Sequence, residues 1–141
     1  METMQILLVD DEEDFRTTLA KRLKKKKIDV KDVGSGDEAV EMIKQKSFDV
    51  AVIDVKMPGI DGITVLNRIK QIRPCVEVIM LTGHAAVQSG IEAMKLGAYD
   101  YLIKPCDVDE LLIKAGDAYQ HKLAQEKHSK ILKASEKTGG T

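Results

Sequence analysis

Four places in the sequence carry side chains suited to one kind of chemistry: Asp10-Asp11, Asp54, Thr82 and Lys104. Each follows a short apolar run, so a fold that aligned those runs would gather the carboxylates, a hydroxyl and an ammonium on one rim. Two carboxylates 4 Å apart repel by roughly 4 kcal/mol at the effective dielectric near a protein surface. They must share a proton or hold a cation between them. An all-oxygen set suits Mg²⁺, which takes one or two carboxylates and leaves positions for phosphate oxygens. Lys104 could neutralise a second phosphate oxygen and Thr82 donate to a third. Together these groups describe a phosphoryl-transfer site with Asp54 at its centre.

Each residue also has a plainer explanation. Asp10-Asp11 before a helix could be N-terminal capping, Thr82 a turn residue, and Lys104-Pro105 an ordinary loop entry. Asp54 is harder to explain away, because a carboxylate ending a buried strand needs compensation. Their joint arrival on one edge favours the chemical reading.

The elements that must position these residues can be read from periodicity. Gln5 to Val9 is a continuous apolar run, as in a strand buried on both faces. A helix follows with Phe15, Leu19 and Leu23 at four-residue spacing, and Lys24 to Lys27 at its far end suit the helix dipole. Asp29 to Val33 is a weaker strand, an edge because charge interrupts it. Gly34-Ser35-Gly36 turns into a helix with Ala39, Val40 and Ile43 inward, and Phe48 to Ile53 is a third strand ending at Asp54. A loop over Met57 to Gly62 leads to a helix presenting Ile63, Leu66 and Ile69, which stops before Pro74. Val76 to Leu81 is a fourth strand, ending at Thr82-Gly83. Ala85 to Leu96 is a helix closed by Gly97 in a left-handed cap. Tyr99 to Ile103 is the fifth strand, before Lys104-Pro105. The last helix starts near Asp107 with Leu112, Ala115, Tyr119 and Leu123 on one face.

Five strands alternating with five helices predict a doubly wound α/β domain, (βα)5, with a parallel sheet covered on both sides. Right-handed crossovers favour the flavodoxin-like strand order 2-1-3-4-5, with the ligand edge where the order reverses, between the first and third strands. The domain spans residues 4–123, and 124–141 forms a helix extension or linker tail.

Composition narrows the classes. The chain has 141 residues, which suits one domain with a proper core. A formal net charge of -1 gives no global field to recruit nucleic acid or an anionic membrane. No apolar run approaches a membrane span, and the first residues lack signal-peptide grammar, so a cytoplasmic protein is expected. Cys75 and Cys106, with His84, His121 and His128, have no zinc-ligand spacing. The two cysteines fall at opposite ends of parallel strands, too far apart to form a disulfide.

The set Asp10-Asp11-Glu12, Asp54-Val55-Lys56-Met57-Pro58-Gly59-Ile60-Asp61-Gly62, Leu81-Thr82-Gly83-His84 and Gly97 to Pro105 resembles the receiver domain of two-component signalling. The resemblance implies that Asp54 accepts phosphate from a phosphohistidine on a sensor histidine kinase or phosphotransfer protein. It implies Mg²⁺ on Asp11, Asp54 and the main-chain carbonyl of Lys56, with Asp10 acting through water. It further implies that Thr82 and Lys104 hold phosphoryl oxygens, that the Lys104-Pro105 bond is cis, and that Tyr101 turns inward as Thr82 moves. Gly83 fits a position that leaves room for the phosphoryl group, and His84 one that tunes its lifetime. The surface of the fourth helix, fifth strand and final helix would then meet a downstream effector or a second copy. Such a protein is a signalling domain and not a turnover enzyme.

Three rival readings are weaker. Gly34-Ser35-Gly36-Asp37-Glu38-Ala39 satisfies a dinucleotide fingerprint, yet it follows the edge strand and puts two acids where a pyrophosphate would sit. An aspartate-nucleophile phosphatase of the haloacid-dehalogenase type would need an acid two positions after Asp54, where Lys56 stands. Lys21-Arg22 and Lys24 to Lys27, with no interleaved aromatics, form a solvated helix end and no nucleic-acid surface.

Overall fold

The computed structural model describes residues 3–83 and 87–139. His84 and the first two residues of the expected fourth helix therefore lie outside the described residues. The elements alternate: β1 Gln5–Val9, α1 Glu13–Lys25, β2 Asp29–Val33, α2 Gly36–Gln45, β3 Val50–Asp54, α3 Gly62–Ile72, β4 Glu77–Thr82, α4 Val87–Lys95, β5 Asp100–Ile103 and α5 Val108–Gly139. All five strands pair in parallel in the order β2-β1-β3-β4-β5, as the alternation predicts.

The apolar runs work because both faces of the sheet are covered. Alternate residues Leu7, Val9, Ala51, Ile53, Val78 and Met80 pack toward α2 and α3, meeting Ala39, Ile43, Val65, Leu66 and Ile69. The intervening Ile6, Leu8, Val50, Val52, Ile79 and Leu81 face α1 and α5, meeting Leu19, Leu23, Leu111, Ala115 and Ala118. Burial of roughly 1.5–3 kcal/mol per large aliphatic side chain on two faces fixes the register strongly. That register sets Asp54 beside Leu81 and Thr82 beside Ile103, so the strand ends align.

Local signals explain the turns. At the start of α2, Ser35 Oγ accepts from Glu38 N at 3.2 Å, and Glu38 Oε2 accepts from Gly34 N at 3.1 Å. This reciprocal cap accounts for the Gly-Ser-Gly segment without any nucleotide. Gly97 has φ 105°, a left-handed position after α4 that a side chain would strain. The Lys104-Pro105 peptide is cis.

Three strands begin or end one or two residues away from the expected bounds: β3 starts at Val50, β4 runs from Glu77 through Thr82, and β5 starts at Asp100. The larger correction is in α5. Its buried stripe is Leu111, Ala115, Ala118 and Lys122, while Leu123 is exposed. Leu112 and Tyr119 sit half-buried at the margin of the core. A lysine ends an inward stripe because its stem is apolar and its ammonium has acids to reach: Asp49 Oδ1 at 3.0 Å and the carboxylate of Glu126. Beyond Ala124 the helix continues without a break to Gly139. Both cysteines are free thiols, and burial, then the charge of Glu110, pushes the Cys106 thiol up.

Candidate functional site: an acid-lined cleft at the strand ends

The site is built from the last residues of β1, β3, β4 and β5. Asp10, just past β1, is fully buried, and its Oδ1 accepts from Glu12 N at 2.9 Å. Arg16 fastens this corner: Nη1 donates to the Asp10 carbonyl at 2.9 Å and Nε to Asp32 Oδ2 at 2.8 Å. Asp54 ends β3 and is 6% exposed. Its Oδ1 accepts from Lys56 N at 3.2 Å, and its Oδ2 accepts from Lys104 Nζ at 3.3 Å.

Lys104 is the cation among these acids. Its main-chain N–H donates to the Thr82 carbonyl at 2.7 Å, which fixes where the side chain departs. Nζ lies 2.8 Å from Asp10 Oδ2, 3.1 Å from Glu12 Oε1 and 3.3 Å from Asp54 Oδ2. The Asp10 contact is the shortest of the three, an ion pair onto a fully buried carboxylate. Burial works against the charge on Lys104, yet the carboxylates of Asp10 and Glu12 outweigh it and hold the ammonium above the usual lysine range. Asp54 moves the other way. Burial foremost, then the nearby Asp10 charge, raises its pKa above 3.8, with Lys104 and the Lys56 N–H pulling against that rise.

Thr82 is 1% exposed, and its Oγ1 has no hydrogen-bond partner. An orphaned buried oxygen costs about 1–3 kcal/mol, so the Thr82 hydroxyl marks a site built for something further. One oxygen each from Asp10, Glu12 and Asp54 come within 4.8 Å of one another. Such a donor set fits a hard divalent cation. Beside it opens a cleft of about 420 Å³ whose walls include Phe15, Lys56, Gly83 and Pro105.

The expected residues do not all converge. Asp10, Asp54, Thr82 and Lys104 meet at the strand ends. Lys56 contributes its main chain there while its side chain is exposed. Asp11 is exposed and outside the acidic cluster, where Glu12 stands instead. Tyr101 is half-buried against the core on the α2–α4 side of the sheet. Sequence reasoning did not single out Glu12 or Phe15. The signal was present in the acidic triplet Asp10-Asp11-Glu12, but a triplet does not say which acid turns inward. No helix among the described residues is long and apolar enough to cross a membrane.

Comparison with known proteins identifies the family and the fold. The response regulator receiver domain family matches residues 6–115. The chain is 37% identical to the transcriptional regulatory protein ZraR of Escherichia coli K12, covering 85% of this chain and 27% of that protein. It is 34% identical to an NtrX-like response regulator of Rickettsia typhi, covering 99% of this chain and 31% of that protein. It thus spans under a third of the length of these curated relatives. Among solved structures, a response regulator receiver domain protein from Clostridium thermocellum superimposes with a TM-score of 0.83 at 34% identity, covering 86% of this chain and 98% of that one. Nothing in these matches supports a haloacid-dehalogenase phosphatase. With a family match over most of its length and a fold that superimposes on a receiver domain, this chain belongs to the response regulator receiver domains of two-component signalling.

Proposed function

We propose that Asp54 is the phosphoryl acceptor of this receiver, taking its phosphate from a phosphohistidine on a sensor histidine kinase or phosphotransfer protein. The observation that carries the reading is the pairing of a buried Asp54 with Lys104 at 3.3 Å, beside a Thr82 hydroxyl that has no partner. In the transfer, an Asp54 carboxylate oxygen attacks phosphorus and forms an O–P bond. The bond from phosphorus to the imidazole nitrogen of the donor breaks, and its electron pair stays on the ring. Lys104 and Thr82 then hold phosphoryl oxygens by charge and by hydrogen bond.

Asp10, Asp11, Asp54 and the Lys56 carbonyl would hold Mg²⁺, and the metal would supply positive charge to the phosphoryl oxygens. Thr82 moving toward the phosphate leaves space that Tyr101 fills, which changes the surface formed by α4, β5 and α5. That surface would meet an effector or a second copy of the chain. Relatives named as transcriptional regulators point to an output of that kind in a longer protein. For this stretch alone no nucleic-acid contact is proposed, its basic end at Lys24 to Lys27 being read as a solvated cap. A cytoplasmic setting suits the kinase partner.

The test is incubation with Mg²⁺ and acetyl phosphate, followed by intact mass. Wild type gains one phosphoryl group and Asp54→Ala gains none. A phosphoryl adduct on the substituted chain would move the acceptor elsewhere.

A further inference from the structure

Lys104 has two neighbours in the cleft that the transfer chemistry leaves without a task. One is Phe15, in the first turn of α1: the Lys104 ammonium lies over its ring, 4.4 Å from the centroid. The other is Glu12. It occupies the N-cap position of α1, yet its side chain makes no capping hydrogen bond and its Oε1 lies 3.1 Å from Lys104 Nζ. Glutamate is not a favoured capping residue, and here its carboxylate reaches a lysine 92 positions away.

We propose that Phe15 and Glu12 are positioning residues for Lys104, forming a ring-and-carboxylate cradle that holds the ammonium over the phosphoryl-accepting cleft. The inference rests on Asp54 being the acceptor. A lysine side chain has four rotatable carbon links, so an unguided ammonium samples many positions. Here it is confined from several sides. Asp10 and Asp54 lie on the inner side, the ring face attracts it through its quadrupole, and Glu12 holds it from the solvent side. The Lys104 side chain is 14% exposed and Glu12 65%, so the ammonium is largely shielded while the Glu12 carboxylate holds it from the solvent side. Packing alone is the plainer role for Phe15, since the ring also borders the core on the α1–α5 side. A role in packing is met by any apolar side chain of similar volume; a role on the ammonium needs an aromatic face.

That difference decides the experiment, run on the full chain with Phe15→Leu, Phe15→Tyr and Glu12→Gln. Proton NMR reads the Lys104 ε-methylene, which a ring 4.4 Å from Nζ shifts upfield. The shift should persist in Phe15→Tyr and vanish in Phe15→Leu, while the urea midpoint of Phe15→Tyr stays near that of wild type. Acetyl phosphate kinetics with Mg²⁺ should show a roughly three- to tenfold lower rate constant at saturation for Phe15→Leu, restored in Phe15→Tyr, and a smaller loss for Glu12→Gln. An unshifted ε-methylene in wild type, or a Phe15→Leu protein that phosphorylates as fast as wild type, would overturn the cradle. A wild type that gains no adduct at Asp54 would instead overturn the acceptor assignment, leaving the NMR result to judge the cradle alone.

Discussion

Gly62 lies directly beneath the main chain of Asp54: a β-carbon built on it would stand 2.2 Å from the Asp54 carbonyl oxygen and 2.8 Å from Val55 Cα. Both contacts are backbone, so no rotamer change can relieve them. The first residue of α3 must be glycine for the helix to dock under the strand that carries the acceptor. Gly62→Ala is expected to lower stability by about 1–3 kcal/mol, the usual cost of overpacking, and to slow phosphorylation by displacing Asp54. Urea unfolding checks the first and acetyl phosphate labelling the second. Unchanged stability would mean that α3 does not sit where described.

Asp54 itself gives stability a pH dependence. Burial and the Asp10 charge raise its pKa above 3.8 in the folded chain. A raised acid binds its proton more readily folded than unfolded, so its favourable contribution is complete below the unfolded pKa and is lost as pH rises through the folded one. Asp54→Asn removes that loss. Its stability advantage over wild type should therefore be larger at about pH 7 than at about pH 4, as read from urea midpoints. An advantage that shrinks toward neutrality would contradict the direction of the shift.

Lys122 is a cation at the opposite end of the sheet, 8% exposed and paired with Asp49 and Glu126. Lys122→Ala removes one partner of a buried pair and is expected to cost about 3 kcal/mol. Lys122→Met keeps the packing of the stem and should recover part of that loss. Neither should alter the rate of phosphorylation at Asp54. If thermal unfolding of Lys122→Ala matches wild type, the ion pairs contribute nothing to holding α5.

Mg²⁺ binding separates the acids. Asp10→Asn, Asp11→Asn and Asp54→Asn are each expected to weaken binding roughly tenfold or more by calorimetry, and Glu12→Gln much less. The opposite pattern at positions 11 and 12 would place the metal in the resting cluster of Asp10, Glu12 and Asp54.

Much of this was legible in the sequence, for reasons that are physical. Short apolar runs such as the one ending at Ile53 predict strands covered on both faces, and their ends carry Asp54, Thr82 and Lys104 to one rim. Periodicity fails where side chains are ambivalent. On α5, spacing alone predicts Leu123 in the inward stripe, but the turn of the helix puts Lys122 there, since a long stem can bury and still deliver its charge to Asp49. Glu12 and Phe15 escaped notice for a similar reason. Their task depends on where an ammonium 92 and 89 positions onward comes to rest, and local spacing does not encode that.

The unbroken course of α5 has a mechanical consequence. From Lys122 to Gly139 the helix projects about 25 Å, so a ten-degree pivot at its base would sweep the far end by about 4 Å. Small adjustments near β5 would thus reach the far end of that rod as a displacement larger than a methyl group, and Lys122 is the last buried residue before the rod leaves the core.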